Sequence, residues 1–125
     1  MGKASRAEAS EHVESEGFAG DYAEVEGTTI GWERYDADAD PSELFRGLPD
    51  DRCQCPHWGV VLKGELIYEE ADGSVTSIGE GEAYAVRPGH IPQFRTGTEI
   101  VEFSPTAELA KTMEVVTRNL AAAGV

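Results

Sequence analysis

The sequence predicts an all-β domain, a barrel or sandwich of short strands, followed by one C-terminal α-helix. Three observations favour this fold class. From position 53 onward, short runs of strand-forming residues alternate with Gly, Pro and Asp turn signals at close spacing. The dipeptide Asp72-Gly73 is a strong hairpin signal, because both central positions of a type I′ turn need a positive φ. Near the end of the chain, apolar residues recur at helical spacing instead.

Length and composition indicate a single domain with three parts. The chain has 125 residues, of which 40% are hydrophobic, and this is enough for one modest core. Residues 1–20 are polar and acidic and carry almost no large apolar side chain, so we expect a mobile tail there. We expect the barrel over residues 21–104 and the helix over residues 105–125, packed on the barrel or on a second subunit.

The segment that precedes Cys53 in the sequence predicts strands, a turn and one helical turn. Residues 24–35 carry apolar and aromatic side chains that predict one or two short strands. The acidic run 36–40 (DADAD) precedes Pro41 and predicts a solvated turn. A calcium loop is rejected there, because the required Gly and the later bidentate Glu are missing at the right offsets. Residues 42–48 predict one helical turn that directs three apolar side chains inward.

The second half of the chain predicts a series of strands and then the helix. The predicted strands are residues 60–62, 66–68, 75–78, 83–86, the region of Phe94, and 100–103. Ser104 as N-cap and Pro105 at the first helical position predict the start of the helix. The residues expected on its inward face are Leu109, Met113, Val116 and Leu120. Gly124 predicts its end.

The charge of the chain restricts its partners. There are 24 Asp and Glu against 10 Lys and Arg, a formal net charge of −14. Such a surface repels polyanions, so we expect neither nucleic acid nor an anionic membrane as a partner. No window approaches the roughly 20 apolar residues of a membrane span. The first 20 residues hold no apolar signal-peptide core, so we expect a cytoplasmic protein.

Two segments carry a resemblance to a known family. Residues 57–66 (HWGVVLKGEL) resemble the first cupin motif, and residues 81–90 (GEAYAVRPGH) resemble the second. The Asp72-Gly73 hairpin lies between them, where cupins place a variable loop. The resemblance covers roughly residues 50–104 and implies a jelly-roll β-barrel. Cupins are commonly dimeric, so it also implies a homodimer, for which Trp58 and the apolar face of the helix are candidate contact surfaces.

The metal ligands of the family do not transfer to this sequence residue by residue. Typical cupins present His-x-His and Glu in the first motif and one His in the second. When the first motif is aligned on Gly64, the Glu position falls at or beside His57. In the second motif the position of the family His falls at Pro92, whereas the histidine present is His90. A standard iron or manganese site therefore does not follow from the resemblance.

A different ligand set is predicted in its place. Cys53, Cys55 and His57 lie at i, i+2 and i+4, so a strand would direct all three to one face, with His90 approaching from a neighbouring strand. Two thiolates and two imidazoles suit a tetrahedral divalent metal, above all zinc. The alternative is a metal-free polar pocket with two small buried cysteines. A Cys53–Cys55 disulfide is not expected, because extended residues at that spacing have parallel side chains about 6.6 Å apart at Cα.

Two further residues are candidates for a ligand pocket. Tyr84 and Arg87 flank the second motif and are candidates for contact with a small anionic molecule. The alternative is a packed aromatic ring and a solvated charge.

Three functions therefore remain open from the sequence. They are a metal-dependent enzyme acting on a small molecule, a non-catalytic module that binds a small ligand or senses a metal, and a metal-free structural cupin. The sequence contains no nucleophile triad, phosphate loop or dinucleotide fingerprint, so no catalytic residue is assigned.

Overall fold

The computed structural model describes residues 1–123, which form two antiparallel β-sheets and one long C-terminal helix. The six-stranded sheet has the order β1-β2-β3-β9-β4-β7, and the three-stranded sheet has the order β6-β5-β8. The strands are β1 Glu11–Ser15, β2 Phe18–Val25, β3 Thr28–Tyr35, β4 His57–Lys63, β5 Glu65–Glu69, β6 Val75–Gly79, β7 Ala83–Val86, β8 Ile91–Phe94 and β9 Thr98–Pro105. The helix α1 spans Thr106–Ala122. Short 3-10 turns at Ser42–Phe45 and Pro49–Asp51 precede β4.

The N-terminal segment differs from the mobile tail predicted over residues 1–20. Strand β1 and the start of β2 form a hairpin that turns at Gly17, whose φ is +79°. A strand added to the edge of an existing sheet is held by backbone hydrogen bonds and needs no apolar run of its own. The carboxylate of Asp21 adds ion pairs to Arg6 and His12. The tail prediction is therefore wrong for residues 11–20, because it weighed only apolar content.

The main core lies between the two sheets, as the strand pattern predicts. Alternate residues of each strand point inward. On β5, Leu66 and Tyr68 are buried, and on β4 Val61 is completely buried. The remaining members of this cluster are Ile78, Val86, Phe94 and Ile100. Trp58, the neighbour of the inward-facing His57 on β4, points to the opposite side of the sheet and is 50% exposed.

A second apolar cluster joins the helix to the segment before β4. Phe45 and Val116 are buried in it together with both cysteines. Leu109 and Leu120 pack against it, as the helical spacing predicts. Met113 does not, since it is 43% exposed, and the prediction for this residue is wrong. The buried residue beside it is Thr112, which lies on the other flank of the same helix face.

The helix begins one residue later than predicted. Ser104 and Pro105 belong to β9, and Pro105 takes the N-cap position without a side-chain cap. The hydroxyl of Ser104 is not available as a cap because it pairs with a buried histidine. Gly124, the predicted end, lies outside the described residues. No helix within residues 1–123 has the length and apolarity needed to cross a membrane.

Candidate metal centre

Three buried side chains from three parts of the chain meet inside the barrel. The donor atoms of Cys53, His57 and His90 all lie within 4.8 Å of one another. His57 is the first residue of β4, and His90 immediately precedes β8. A backbone bridge joins Cys53 to His90, because the amide N–H of Cys53 donates to the carbonyl of His90 at 3.0 Å. The segments that resemble the first and second cupin motifs therefore supply the two histidines of this group.

Cys55, the fourth predicted ligand, is not a member of this group. The four-ligand prediction used the alternation of side chains along a strand from Cys53 to His57, but β4 begins only at His57 and residues 54–56 are irregular. Pro56 cannot donate to a sheet ladder, which interrupts the alternation. The thiol of Cys55 donates to the carbonyl of Pro56 at 3.4 Å, and the side chain is fully buried under the helix. Both cysteines are free thiols.

The imidazole of His90 has one nitrogen that is hydrogen-bonded and one that is not. Its Nδ1 lies 2.6 Å from the carbonyl oxygen of Arg87, and a carbonyl can only accept, so the proton is on Nδ1. The other nitrogen, Nε2, then presents a lone pair. This atom is buried and has no hydrogen-bond partner among the described residues. A buried polar atom without a partner costs about 1–3 kcal/mol, and native proteins keep few of them.

His57 is held in the complementary orientation. Its Nδ1 lies 2.8 Å from the hydroxyl oxygen of Ser104 and 3.5 Å from Oε1 of Glu102. Its Nε2 lies 3.7 Å from the sulfur of Cys53. A Zn–S bond of about 2.3 Å and a Zn–N bond of about 2.0–2.1 Å place sulfur and nitrogen about 3.6 Å apart at a tetrahedral angle. The observed sulfur–nitrogen distance therefore fits a shared zinc ion.

Burial sets the protonation of these groups. Desolvation lowers the pKa of His57 and of His90 to about 4, so both imidazoles are neutral near pH 7. Desolvation raises the pKa of Cys53 to about 11 and that of Cys55 to about 12. The two histidines can therefore offer a lone pair without first losing a proton, whereas Cys53 has to release its proton to become a thiolate ligand.

A carboxylate and two tyrosines lie directly behind His57. Glu102 on β9 accepts hydrogen bonds at Oε2 from the hydroxyls of Tyr68, at 3.0 Å, and Tyr84, at 2.5 Å. Its Oε1 faces His57. A carboxylate paired with the outer nitrogen of a metal-ligating histidine fixes the tautomer and the ring orientation. Glu102 was not among the predicted site residues, although a glutamate at an inward position of an apolar strand is a signal that could have found it.

A second carboxylate lies on the same inner face of the sheet. Glu33 on β3 is offset by two residues from Glu102 on the neighbouring strand β9. It accepts hydrogen bonds from the hydroxyls of Tyr22, at 2.5 Å, and Tyr35, at 3.2 Å. Burial first, and then the negative charge of Glu102, raise the pKa of Glu33 to about 7. We call these two glutamates and four tyrosines the tyrosine–glutamate network.

Glycines make room for two rings of this network. A Cβ atom on Gly31 would lie 2.9 Å from the ring of Tyr22, and one on Gly20 would lie 2.5 Å from its hydroxyl. A Cβ atom on Gly59 would lie 2.6 Å from the hydroxyl of Tyr84. The rings of Tyr22 and Tyr84 therefore lie directly on the backbone of these glycines, on the inner face of the sheet.

Tyr84 and Arg87, the predicted pocket residues, have different surroundings. Tyr84 lines a cleft of about 270 Å³ between the edges of β6 and β7. Arg87 is 83% exposed at its side chain and forms an ion pair with Glu70 at 3.4 Å. Glu70 lines the cleft, but Arg87 is not one of its lining residues.

Comparisons with known proteins identify the fold. No family model and no curated protein sequence matches the chain. Among solved structures, the chain is similar to a protein of unknown function from Rhizobium leguminosarum, with 20% identity over 83% of this chain and 94% of that chain, at a TM-score of 0.57. It is also similar to ectoine synthase from P. lautus, with 13% identity over 89% of this chain and 85% of that one, at a TM-score of 0.59.

A third similar structure is an RmlC-like cupin from Shewanella frigidimarina, with 18% identity, coverage of 76% of this chain and 83% of that chain, and a TM-score of 0.52. At such identities the similarity shows the fold alone. The chain has the cupin fold, and the predicted jelly-roll barrel with a C-terminal helix is confirmed.

Proposed function

We propose that Cys53, His57 and His90 bind one divalent metal ion and that zinc is the preferred ion. The observation that carries this proposal is the buried Nε2 of His90, which has no hydrogen-bond partner among the described residues, in a histidine that belongs to a group of donors within 4.8 Å of one another. A metal ion would satisfy this atom. One thiolate and two imidazoles form a donor set that zinc favours over harder cations, which prefer carboxylates.

Three protein ligands leave a fourth tetrahedral position for water or for a small molecule. Sites of this kind are typical of catalytic zinc, which acts as a Lewis acid or activates bound water. The chain's own residues would then hold the ligands: Ser104 and Glu102 orient His57, and the carbonyl of Arg87 orients His90. The function that this arrangement supports best is a metal-dependent cupin that acts on a small molecule.

Burial of the centre favours a second candidate function. Cys53, His57 and His90 are between 1% and 6% exposed, so a substrate would have little access to a metal at this place. A non-catalytic cupin that senses a metal or binds a small ligand needs no such access.

Metal analysis of the purified protein tests the proposal. Protein prepared without chelators should contain close to one equivalent of zinc and should lose it on Cys53→Ser. Cys55→Ser is the matched control, because this thiol is equally buried but lies outside the group. It should keep the metal. Less than about a tenth of an equivalent of any transition metal, with no gain of thermal stability on adding zinc, would overturn the proposal.

Cobalt substitution identifies the ligand. A Co²⁺ ion bound in place of zinc should show the charge-transfer absorption of a cobalt–thiolate bond. This band should disappear in Cys53→Ser and persist in Cys55→Ser. The same band in both variants would mean that Cys53 is not the sulfur ligand.

We also propose a homodimer in a reducing compartment, the cytoplasm. Trp58 and Leu62 are 50% and 45% exposed on the outer side of β4, and a partner subunit would cover them. Two free buried thiols suit a reducing environment. Light scattering at micromolar concentration should give twice the monomer mass in moderate salt, which screens the charge of −14. A stable monomer there would contradict the dimer.

A further inference from the structure

We propose that the cleft between the edges of β6 and β7 binds a small organic ammonium ion. Binding of such an ion is a second activity, beyond the proposed metal function. It does not require the metal, because the cleft and the metal centre share no residue.

The size of the cleft fits a small molecule. Its volume is about 270 Å³, just below the usual range of ligand pockets, about 300–1,000 Å³. It lies at a seam where the two sheets are not hydrogen-bonded to each other, since β7 and β6 are the edge strands of their sheets. The lining residues that matter here are Tyr68, Glu70, Ile78, Glu82, Tyr84 and Val86.

The charge of the cleft has one sign. Glu70 and Glu82 both line it, and of the described lining residues none is Lys, Arg or His. Behind it, the carboxylate of Glu102 accepts the hydroxyls of two lining tyrosines. Arg87 pairs with the carboxylate of Glu70 from outside the cleft, and the guanidinium of Arg52, also outside the lining, donates to the backbone carbonyl of Glu70. An anionic ligand would be repelled, and a cation would face two carboxylates of the lining and one buried behind it.

Two aromatic rings make the site suitable for an ammonium ion in particular. The rings of Tyr68 and Tyr84 are 5.6 Å apart between centroids, with their planes tilted by 53°. A cation within about 6 Å of a ring centroid is attracted by the ring quadrupole. Both hydroxyls donate to the carboxylate of Glu102, which polarises each O–H bond and makes the ring more electron-rich.

Apolar groups complete the recognition of an alkylated ammonium. Ile78 and Val86 lie in the cleft wall beside the carboxylates. An ammonium ion that carries methyl or methylene groups can place them against these side chains while its charge faces Glu70 and the rings. A bare metal cation would prefer oxygen ligands and would gain nothing from the aromatic and aliphatic walls.

The test compares three probes of the same shape on the wild-type protein. They are choline, its neutral isostere 3,3-dimethylbutan-1-ol and the anion 3,3-dimethylbutanoate. Calorimetry should give choline an affinity about tenfold higher than that of the neutral probe, as expected for cation–π and carboxylate contacts together. No binding of the anion is expected. Equal affinity of choline and the neutral probe would overturn the proposal.

Variants locate the bound cation. Tyr84→Leu should weaken choline binding about tenfold, and Glu70→Gln about threefold. Arg87→Ala should strengthen it about twofold, because it frees Glu70 from its ion pair. Glu16→Gln removes the same charge from an exposed site outside the cleft and should leave the affinity unchanged. An equal loss in Glu16→Gln and Glu70→Gln would mean unspecific attraction to an acidic chain, and the proposal would be wrong.

Two further measurements keep the result independent of folding and of the metal. Choline should shift the amide resonances of wild-type residues 76–78 and 83–86 in the NMR spectrum, so the site can be mapped without a variant. Shifts confined to other residues would contradict the cleft. Cys53→Ser, which should lose the metal, should still bind choline more tightly than the neutral probe. A failure of metal binding would therefore overturn the proposed function, whereas a failure of choline binding would overturn this inference alone.

Discussion

The buried carboxylate of Glu33 should make the stability of the protein depend on pH in an unusual direction. Burial and the charge of Glu102 raise the pKa of Glu33 from 4.5 to about 7 in the folded state. A carboxyl group with a raised folded-state pKa contributes fully to stability below its unfolded pKa, near pH 4.5. That contribution is lost as the pH rises through the folded-state pKa, near pH 7. The substitution Glu33→Gln removes this titration and keeps the shape of the side chain.

The size of the effect follows from the same pKa. The difference between 4.5 and about 7, at about 1.4 kcal/mol for each pKa unit, corresponds to about 3 kcal/mol between pH 4.5 and pH 8. At pH 4.5 the neutral carboxyl of wild type accepts from Tyr22 and Tyr35. At pH 8 the wild type instead holds a carboxylate beside the charge of Glu102. As the pH rises from 4.5 to 8, the free energy of unfolding of Glu33→Gln should therefore increase by about 3 kcal/mol relative to that of wild type.

Urea unfolding followed by tryptophan fluorescence, at several pH values and in moderate salt, measures this difference. The salt screens the general repulsion of the acidic chain, which also changes with pH. Glu16→Gln removes an exposed carboxylate and serves as the matched control, with a flat difference from wild type. A difference between wild type and Glu33→Gln that is constant from pH 4.5 to pH 8 would refute the reasoning.

Three further predictions concern the frame around the sites. Gly64→Ala should lower the free energy of unfolding in urea by about 3 kcal/mol, because φ is +81° and the new Cβ would lie 2.7 Å from the backbone of Thr98. Gly73→Ala is the control: its φ of +84° is similar but the space around it is open, so it should lose only about 1 kcal/mol. NMR titration of His12 should give a pKa above 6.5, which Asp21→Asn returns towards 6.5 by removing the main hydrogen bond. Asn119→Ala should destabilise the fold by roughly 1–2 kcal/mol and lower the midpoint of thermal unfolding accordingly, because the side-chain amide donates to the carbonyls of Leu44 and Arg46 at 2.8 Å. An unchanged midpoint would contradict this.

The fold could be predicted because its signals are local. The hairpin at Asp72-Gly73, the turn at Gly64 and the alternation along residues 57–63 each constrain a few neighbouring residues, and together they agree. Residues 11–15 carry no such signal, since their pairing with β2 depends on a strand that exists only once the sheet has formed. The helix start was misplaced for a similar reason, because the tertiary partner of Ser104 is His57.

The candidate metal site could be predicted only in part. Cys53, His57 and His90 stand out by their chemistry, and the two motifs place them on neighbouring segments. Cys55 has the same chemistry and the same spacing, but Pro56 breaks the strand between it and His57, so the parity argument did not apply.

The tyrosine–glutamate network could not be found from the motifs, because its members are contributed by strands that are distant in sequence. Glu33 and Glu102 are 69 positions apart in the chain and become neighbours only through the pairing of β3 with β9. Tyrosine is also an ordinary strand residue, so its presence alone indicates nothing.

Strand β9 joins the metal centre to the cleft. Two of its inward residues, Glu102 and Ser104, both contact Nδ1 of His57, and Glu102 also accepts the hydroxyls of Tyr68 and Tyr84. A ligand in the cleft that weakens the hydrogen bond of either tyrosine would therefore change the charge that Glu102 presents to His57, and with it the basicity of the nitrogen that faces Cys53. Linkage requires the reverse as well, so a metal held by His57 must alter affinity in the cleft by the same factor. The side chains of this inner sheet thus form a path between the two proposed sites that needs no movement of the backbone.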